Sequence, residues 1–257
     1  MLEACVSESP ESGEGGAALA ALFDRHFEVV TADTPELLDA AHALRYQVYC
    51  LEHAFEDPAQ QTGEREVDQY DVRSVHAVLI ARASGTVVGC VRLVLPELNG
   101  AVGPLPILSV VDQASVARLN EYRTARLAEI SRYAIAKAYR RRSGENLYPD
   151  VGEQSLEAND WRRVAPHMSL GLLRGVGRVA HAHGIDTVCA AMAPPLLRML
   201  ERFGLIFERL GEPIEYHGPR QPCIARCDQL LAGMADRNPA YHRVVEEAYR
   251  GSGRTEG

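Results

Sequence analysis

The chain has 257 residues, 46% of them hydrophobic, which is enough to bury one sizeable core, and a single domain is expected. A formal net charge of -8 argues against nucleic acid as a partner, because a nucleic-acid footprint is normally basic. No apolar run reaches the roughly 18 residues of a membrane span and no charged leader precedes an apolar core, so the expectation is a cytoplasmic protein.

Residues 1–20 are rich in Ser, Glu and Gly and predict a flexible tail. A first strand is predicted over 27–30. Thr34 followed by Pro35 marks a helix start, since the hydroxyl can cap free N–H groups and proline suits the first helical position. Leu37, Ala41, Leu44, Val48 and Leu51 then recur as one buried stripe, with Arg45 beside it, Tyr49 a turn further on and Phe55 where the helix should fray. Residues 56–73 predict a polar loop ending in Glu66, Asp68 and Asp71, a run whose ordinary account is a solvated acidic loop. Two apolar runs, 74–83 and 86–95, predict a hairpin turned by Ser84 and Gly85, with Arg92 in the middle of its second strand.

A Pro- and Gly-rich opening and a short amphipathic piece over 110–119 lead to residues 126–142, RLAEISRYAIAKAYRRR. Leu127, Glu129, Ser131 and Tyr133 alternate with Ala128, Ile130, Arg132 and Ala134, the period of a strand. Glu129 and Arg132 each need a partner once water is removed, and a structural ion pair accounts for them as well as a site does. The polar insertion 143–166, with Trp161, reads equally as a lid or as disorder. Residues 168–183 predict a helix stopped by Gly184; its glycines 171, 175 and 177 cost about 1 kcal/mol each relative to alanine and admit either a ligand or a close-packed backbone.

A strand over 185–192, a helix over 196–203 opened by Pro194 and Pro195, a strand over 205–210, a turn-rich GEPIEYHGPRQP, a strand over 223–227, a helix over 228–241 and a tail over 242–257 complete the chain. His217 and Arg220 could belong to a site, but satisfied polar residues of that turn are the favoured account. Six cysteines without a CxxC pair or zinc-like Cys/His spacing predict buried thiols in a reducing compartment and no metal site. With no GxGxxG, P-loop or GxSxG, dinucleotide binding, nucleotide hydrolysis and serine-hydrolase chemistry lose their sequence support. The order of elements predicts an α/β domain over 21–241 with a mixed central sheet flanked by helices.

This order resembles the GNAT acyltransferase fold, and LLRMLERFGLIFERLG is similar to its closing helix and strand. Arg45 with Tyr49 and Phe55, then Asp68 and Asp71 ahead of a hairpin, Arg92 in its second strand, and Glu129, Ser131 and Arg132 as E-x-S-R resemble the acyl-homoserine-lactone synthases and the N-acyl amino acid synthases. EYHGPRQP looks like the end of the acyltransferases associated with PEP-CTERM/exosortase clusters, the subgroup most similar to this chain. The resemblance implies that Glu129 and Ser131 are catalytic, with Glu129 as base, and that Arg45, Asp68, Asp71, Arg92, Arg132, Tyr49 and Phe55 bind substrate. The three arginines and three carboxylates would form one network. It implies a transferase that moves a fatty acyl group from a thioester, on acyl carrier protein or CoA, to the α-amine of an amino acid, with no bound cofactor.

The arginines at 140–142, 162, 163, 174 and 178 would then receive the acidic carrier protein. Tyr49 and Phe55 stand where lactone synthases usually have phenylalanine and tryptophan, and Leu200 stands where many GNAT enzymes have a tyrosine acid. Two other readings are a lactone synthase using S-adenosylmethionine and a non-catalytic module that binds acyl carrier protein. Strict alternation sends Glu129 and Arg132 to opposite faces, so both reach one cleft only through a β-bulge or a splay, and the resembled fold is known for such a bulge.

Overall fold

The structure, a computed structural model, describes residues 12–122, 126–139 and 168–250. The insertion 143–166 with Trp161, the arginines at 140–142, 162 and 163, the first part of the expected tail and residues 251–257 lie outside the described residues.

Helix α1 (Ser12–His26) leads into strand β1 (Phe27–Thr31). From Ser12 onward the expected tail is therefore helical; Ala20, Leu22 and Phe23 are buried, and their apolar side was hidden by the small and polar residues around it. Helix α2 (Pro35–Arg45) starts where predicted, with the Thr34 hydroxyl accepting from the Leu37 N–H at 3.3 Å. It continues as a π-helix over Tyr46–Glu52, whose wider turn breaks the spacing of the predicted stripe: Val48 and Cys50 are buried, whereas Leu51 is 61% exposed. Strands β2 (Ser74–Ala81) and β3 (Thr86–Val94) form the predicted hairpin, but residues 82–85 join them rather than two residues.

Short strands β4 (Glu97–Leu98) and β5 (Ala101–Val102) precede a 3-10 turn at Pro106–Ser109 and helix α3 (Gln113–Glu121). Then follow β6 (Leu127–Ile135), α4 (Met168–Ala182), β7 (Thr187–Met192) and α5 (Pro194–Arg202). The C-terminal part holds β8 (Glu208–Arg209), β9 (Ile214–Glu215), β10 (Pro219–Arg226), α6 (Cys227–Arg237) and α7 (Pro239–Arg250). β8 is shorter than the predicted strand, and β10 starts earlier than predicted because its two prolines read as turn signals. Helix α7 replaces much of the expected C-terminal tail: Val245 is buried and the Tyr241 ring meets Phe203 edge-on at 4.8 Å.

The main sheet runs β1-β2-β3-β6-β7-β10-β8, with β9 on β10; its pairings are antiparallel except that of β6 with β7. This is the mixed, helix-flanked α/β sheet that the sequence predicts. Ala77, Leu79, Val91, Leu93, Ala128 and Ile130 point from one face into the larger core under α1 and α4. A Cβ on Gly171 would lie 2.4 Å from Phe23 Cζ, and one on Gly175 would lie 2.4 Å from Ala77 Cβ, so these glycines admit close packing. On the same face Arg174 pairs with Asp24 at 2.5 Å and Arg178 donates to the Val29 carbonyl at 2.7 Å. Both arginines tie α4 to its neighbours, and Arg174, buried and paired, is thereby taken out of the expected carrier-protein landing patch. The five cysteines among the described residues are free, and four are buried. No helix among the described residues is long and apolar enough to cross a membrane.

Candidate active site

Two irregularities in β6 build the site. The first is the register against β3: Cys90 faces Ala134 but Arg92 faces Ser131, so β6 carries one extra residue. Arg132 takes up the slack with φ of +48°, a left-handed conformation that costs a non-glycine residue roughly 1–2 kcal/mol. Glu129 and Ser131 lie on the face of Arg92 and His76, and the bulge brings the Arg132 side chain round to acidic groups on that same side. The second irregularity is that parallel pairing with β7 covers only Leu127 to Glu129, opposite Thr187 to Cys189. Beyond that point the two strands run without each other.

Over this face lies an ion network. Arg45, the fully buried last residue of α2, donates to Glu66 from Nε at 2.5 Å and to Asp71 from Nη1 and Nη2 at 2.7 and 3.0 Å. Arg92 donates from Nη1 to Asp68 at 2.7 Å and to Asp71 at 3.0 Å, and from Nε to the Ser131 hydroxyl at 3.0 Å. Arg132 donates to Glu66 at 2.9–3.2 Å, to Glu56 at 2.9 Å and to Asp68 at 3.1 Å. Burial opposes ionisation of Asp71, but contacts with His76, Arg45 and Arg92 outweigh it and hold the carboxyl well below its ordinary range. Each charge is affordable only because the others are present.

Arg45 Nη1 also lies 2.9 Å from His76 Nε2. The same nitrogen lies 3.2 Å from Asp71 Oδ1, so it sits between a guanidinium that donates and a carboxylate that accepts. Burial, with the nearby arginines, lowers the His76 pKa and brings that of His42 down to about 4. His42, Asp71 and His76 place ligand atoms within 4.8 Å of one another. They do not fit a metal ion: Asp71 Oδ1 already takes two guanidinium N–H groups, and the cationic Arg45 Nη1 lies 2.9 Å from His76 Nε2.

Glu129 stands apart from the expected six-membered network. Its Oε2 accepts the Ile107 N–H at 2.7 Å, and its direct contacts among the described residues do not include an arginine. It is buried, and burial pushes its pKa up to about 8 against the Ile107 N–H and the more distant charges of Arg92, Arg132 and Arg73. The segment covering it is held by Arg73, whose guanidinium donates to the Leu95 and Pro104 carbonyls.

At the opposite end, Tyr49 donates from its hydroxyl to the Tyr133 carbonyl at 3.2 Å, and its ring carries the Arg132 guanidinium at 5.2 Å. Burial pushes the Tyr49 hydroxyl up to about 12. Phe55 stacks on His53 at 5.0 Å, touches the His217 ring at 5.5 Å and lies under Arg220 at 5.6 Å. His217 and Arg220, expected to be ordinary turn residues, thus form the rim of this site.

The structure brings together Arg45, Asp68, Asp71, Arg92, Ser131 and Arg132, and sets Tyr49 and Phe55 beside Arg132 and the rim. Sequence reasoning left out Glu66, which joins Arg45 to Arg132, together with Glu56 and His76. Glu66 was visible only as one charge in an acidic run. His76 follows from hairpin register, since it faces Arg92, but Glu56 has no local signal.

Residues 44–149 match the model of the acetyltransferase (GNAT) domain. No curated protein sequence matches the chain. Among solved structures the chain is similar to the AHL synthase LasI, at 20% identity and a TM-score of 0.52, over 78% of this chain and 89% of that one. It is also similar to FeeM, an N-acyl amino acid synthase from uncultured soil microbes, at 15% identity and a TM-score of 0.53, over 82% and 96% of the two chains. MesI, a CoA-dependent acyl-homoserine lactone synthase, gives 16% identity and a TM-score of 0.54, over 90% and 97%. At these identities the likeness is one of fold, and the fold is GNAT-like.

Proposed function

We propose that this chain is an N-acyltransferase that moves a fatty acyl group from a thioester, on acyl carrier protein or CoA, to the α-amine of an amino acid. The observation that carries the reading is Glu129, a carboxyl lifted to about 8 by burial, placed where β6 and β7 cease to pair and on the face of a buried arginine network. A base for an ammonium group works best with a pKa near the working pH.

In this reading the ionised Glu129, directly or through a water, takes a proton from the acceptor ammonium. The amine nitrogen then attacks the thioester carbonyl carbon, the C–S bond breaks as the nitrogen gives up its second proton to the medium, and the thiolate leaves and takes a proton from the medium, since Leu200 offers none. Backbone N–H groups on the strand edges past Glu129 and Cys189 would meet the developing oxyanion. The Arg132 guanidinium would hold the acceptor carboxylate as a fork, and Ser131 would fix Arg92 through its hydroxyl. The narrower likeness to PEP-CTERM-associated acyltransferases belongs to this proposal and rests on the sequence of the EYHGPRQP segment alone. A cytoplasmic location belongs to the same proposal, since both donors are made there.

The test is thiol release from decanoyl-CoA and from decanoyl carrier protein, each with the twenty amino acids and with S-adenosylmethionine. Thiol release with a free amino acid, accompanied by a new N-decanoyl amino acid in the mass spectrum and lost in Glu129→Gln, is the expected result. Methylthioadenosine as a product would instead mean a lactone synthase. Binding of the carrier protein without thiol release would mean a non-catalytic module.

A further inference from the structure

Arg132 faces three carboxylates, and they are not equivalent. Glu66 lies along the Nε and Nη2 edge, is 1% exposed and is shared with Arg45. Asp68 meets Nη2 at 3.1 Å and is shared with Arg92. Glu56 meets Nη2 at 2.9 Å, is 25% exposed, and pairs with no other arginine among the described residues. On its far side, the same Oε1 lies 3.7 Å from His217 Nε2. In the network as a whole, Arg45, Arg92 and Arg132 face Glu56, Glu66, Asp68 and Asp71. One carboxylate is in excess, and the most exposed, singly held one is Glu56.

Arg132 also has an unused donor edge. Its Nη1 makes no hydrogen bond among the described residues, and a carboxylate gripping Nη1 and Nη2 together would compete for Nη2 with the carboxylates now on it, of which Glu56 is the most exposed and the one shared with no other arginine. We propose that Glu56 is a stand-in for the acceptor carboxylate: it holds the outer edge of Arg132 until the amino acid takes that place, and then turns to His217. This rests on the acyltransferase reading, in which Arg132 grips the acceptor. Exchange of one carboxylate for another keeps the buried guanidinium paired throughout, so the site never exposes an uncompensated charge. It also makes every acceptor compete with a tethered rival. Glu56 can make the exchange by side-chain rotation alone, since its backbone N–H remains on the Tyr49 carbonyl at 3.2 Å.

The consequence runs against intuition, because removing a contact to the binding arginine should tighten binding. With the amino acid that supports the fastest thiol release as acceptor and decanoyl-CoA or decanoyl carrier protein as donor, Glu56→Gln and Glu56→Ala are expected to lower the acceptor KM about threefold to tenfold. The donor KM should not move with it. His217→Ala is expected to raise the acceptor KM in the parent chain, where Glu56 loses its resting place, and to have no effect in the Glu56→Ala background. A structural role for Glu56 would give the opposite sign, so an acceptor KM unchanged or raised in both Glu56 variants overturns the inference while leaving the acyltransferase reading intact. Absence of thiol release by the parent chain with every amino acid would remove that reading, and this inference with it.

Discussion

Replacing Glu129 by Gln isolates the energetics of the buried carboxyl. The amide oxygen can still accept the Ile107 N–H, so the shape and the hydrogen bond survive while the titration is lost. In the folded chain burial raises the Glu129 pKa from 4.5 to about 8. At about 1.4 kcal/mol per tenfold, ionising this group costs the fold on the order of 5 kcal/mol. The sign follows from which state holds the proton. Below pH 4.5 both states are protonated and the full stability is present; between 4.5 and 8 the unfolded chain releases the proton first, and stability drains away until the folded group ionises too. Urea unfolding of the parent and of Glu129→Gln from pH 5 to pH 9 should therefore show the parent losing ground steadily up to about pH 8 and no further. A difference that stays constant to within about 1 kcal/mol over that range would refute a desolvated carboxyl, and with it the assignment of Glu129 as a base tuned by burial.

The other structural expectations concern the two faces of the sheet. Glu66→Gln removes the anion shared by Arg45 and Arg132 and should cost about 3–5 kcal/mol, read as a lowered urea midpoint at pH 7. Gly175→Ala drives a Cβ into Ala77 and should cost about 1–3 kcal/mol in thermal unfolding, yet it should leave the turnover of folded protein intact, because that contact is on the face away from the site.

Much of the fold is legible where one physical signal dominates. Thr34 and Pro35 set the start of α2 through capping, the apolar runs of β2 and β3 identify a buried hairpin, and alternation identifies β6 as a strand. Signals failed where the periodicity itself changes. Leu51 fits a regular helix and is exposed because Tyr46–Glu52 is a π-helix. Pro219 and Pro222 resemble turn residues, but β10 accommodates Pro222 beside β7 and Pro219 beside β9. Helix α1 escaped because alanine and glycine carry little apolar contrast.

For the site, the recurring arginines and acids of distant segments were legible as a set, whereas their pairing was not. Which carboxylate meets Arg45 depends on a loop that brings Glu66 back over α2 through a backbone hydrogen bond to His42. Counting arginines likewise placed Arg174 on a landing patch, while its charge is answered by Asp24, far away in sequence. Glu129 sits on the expected face, but its direct partner is the Ile107 N–H of the turn at Pro106–Ser109, unremarkable in composition, rather than an arginine.

The bulge in β6 has a simple consequence in parity. Odd-numbered side chains, Leu127, Glu129 and Ser131, face one way before it, and the even-numbered Ala134 faces that way after it, while Ile135 joins Ala128 and Ile130 on the other side. Excising Arg132 from the chain would restore an unbroken count and leave each of these neighbours facing where it faces now. The sheet has no use for the residue; only the acids waiting above it do.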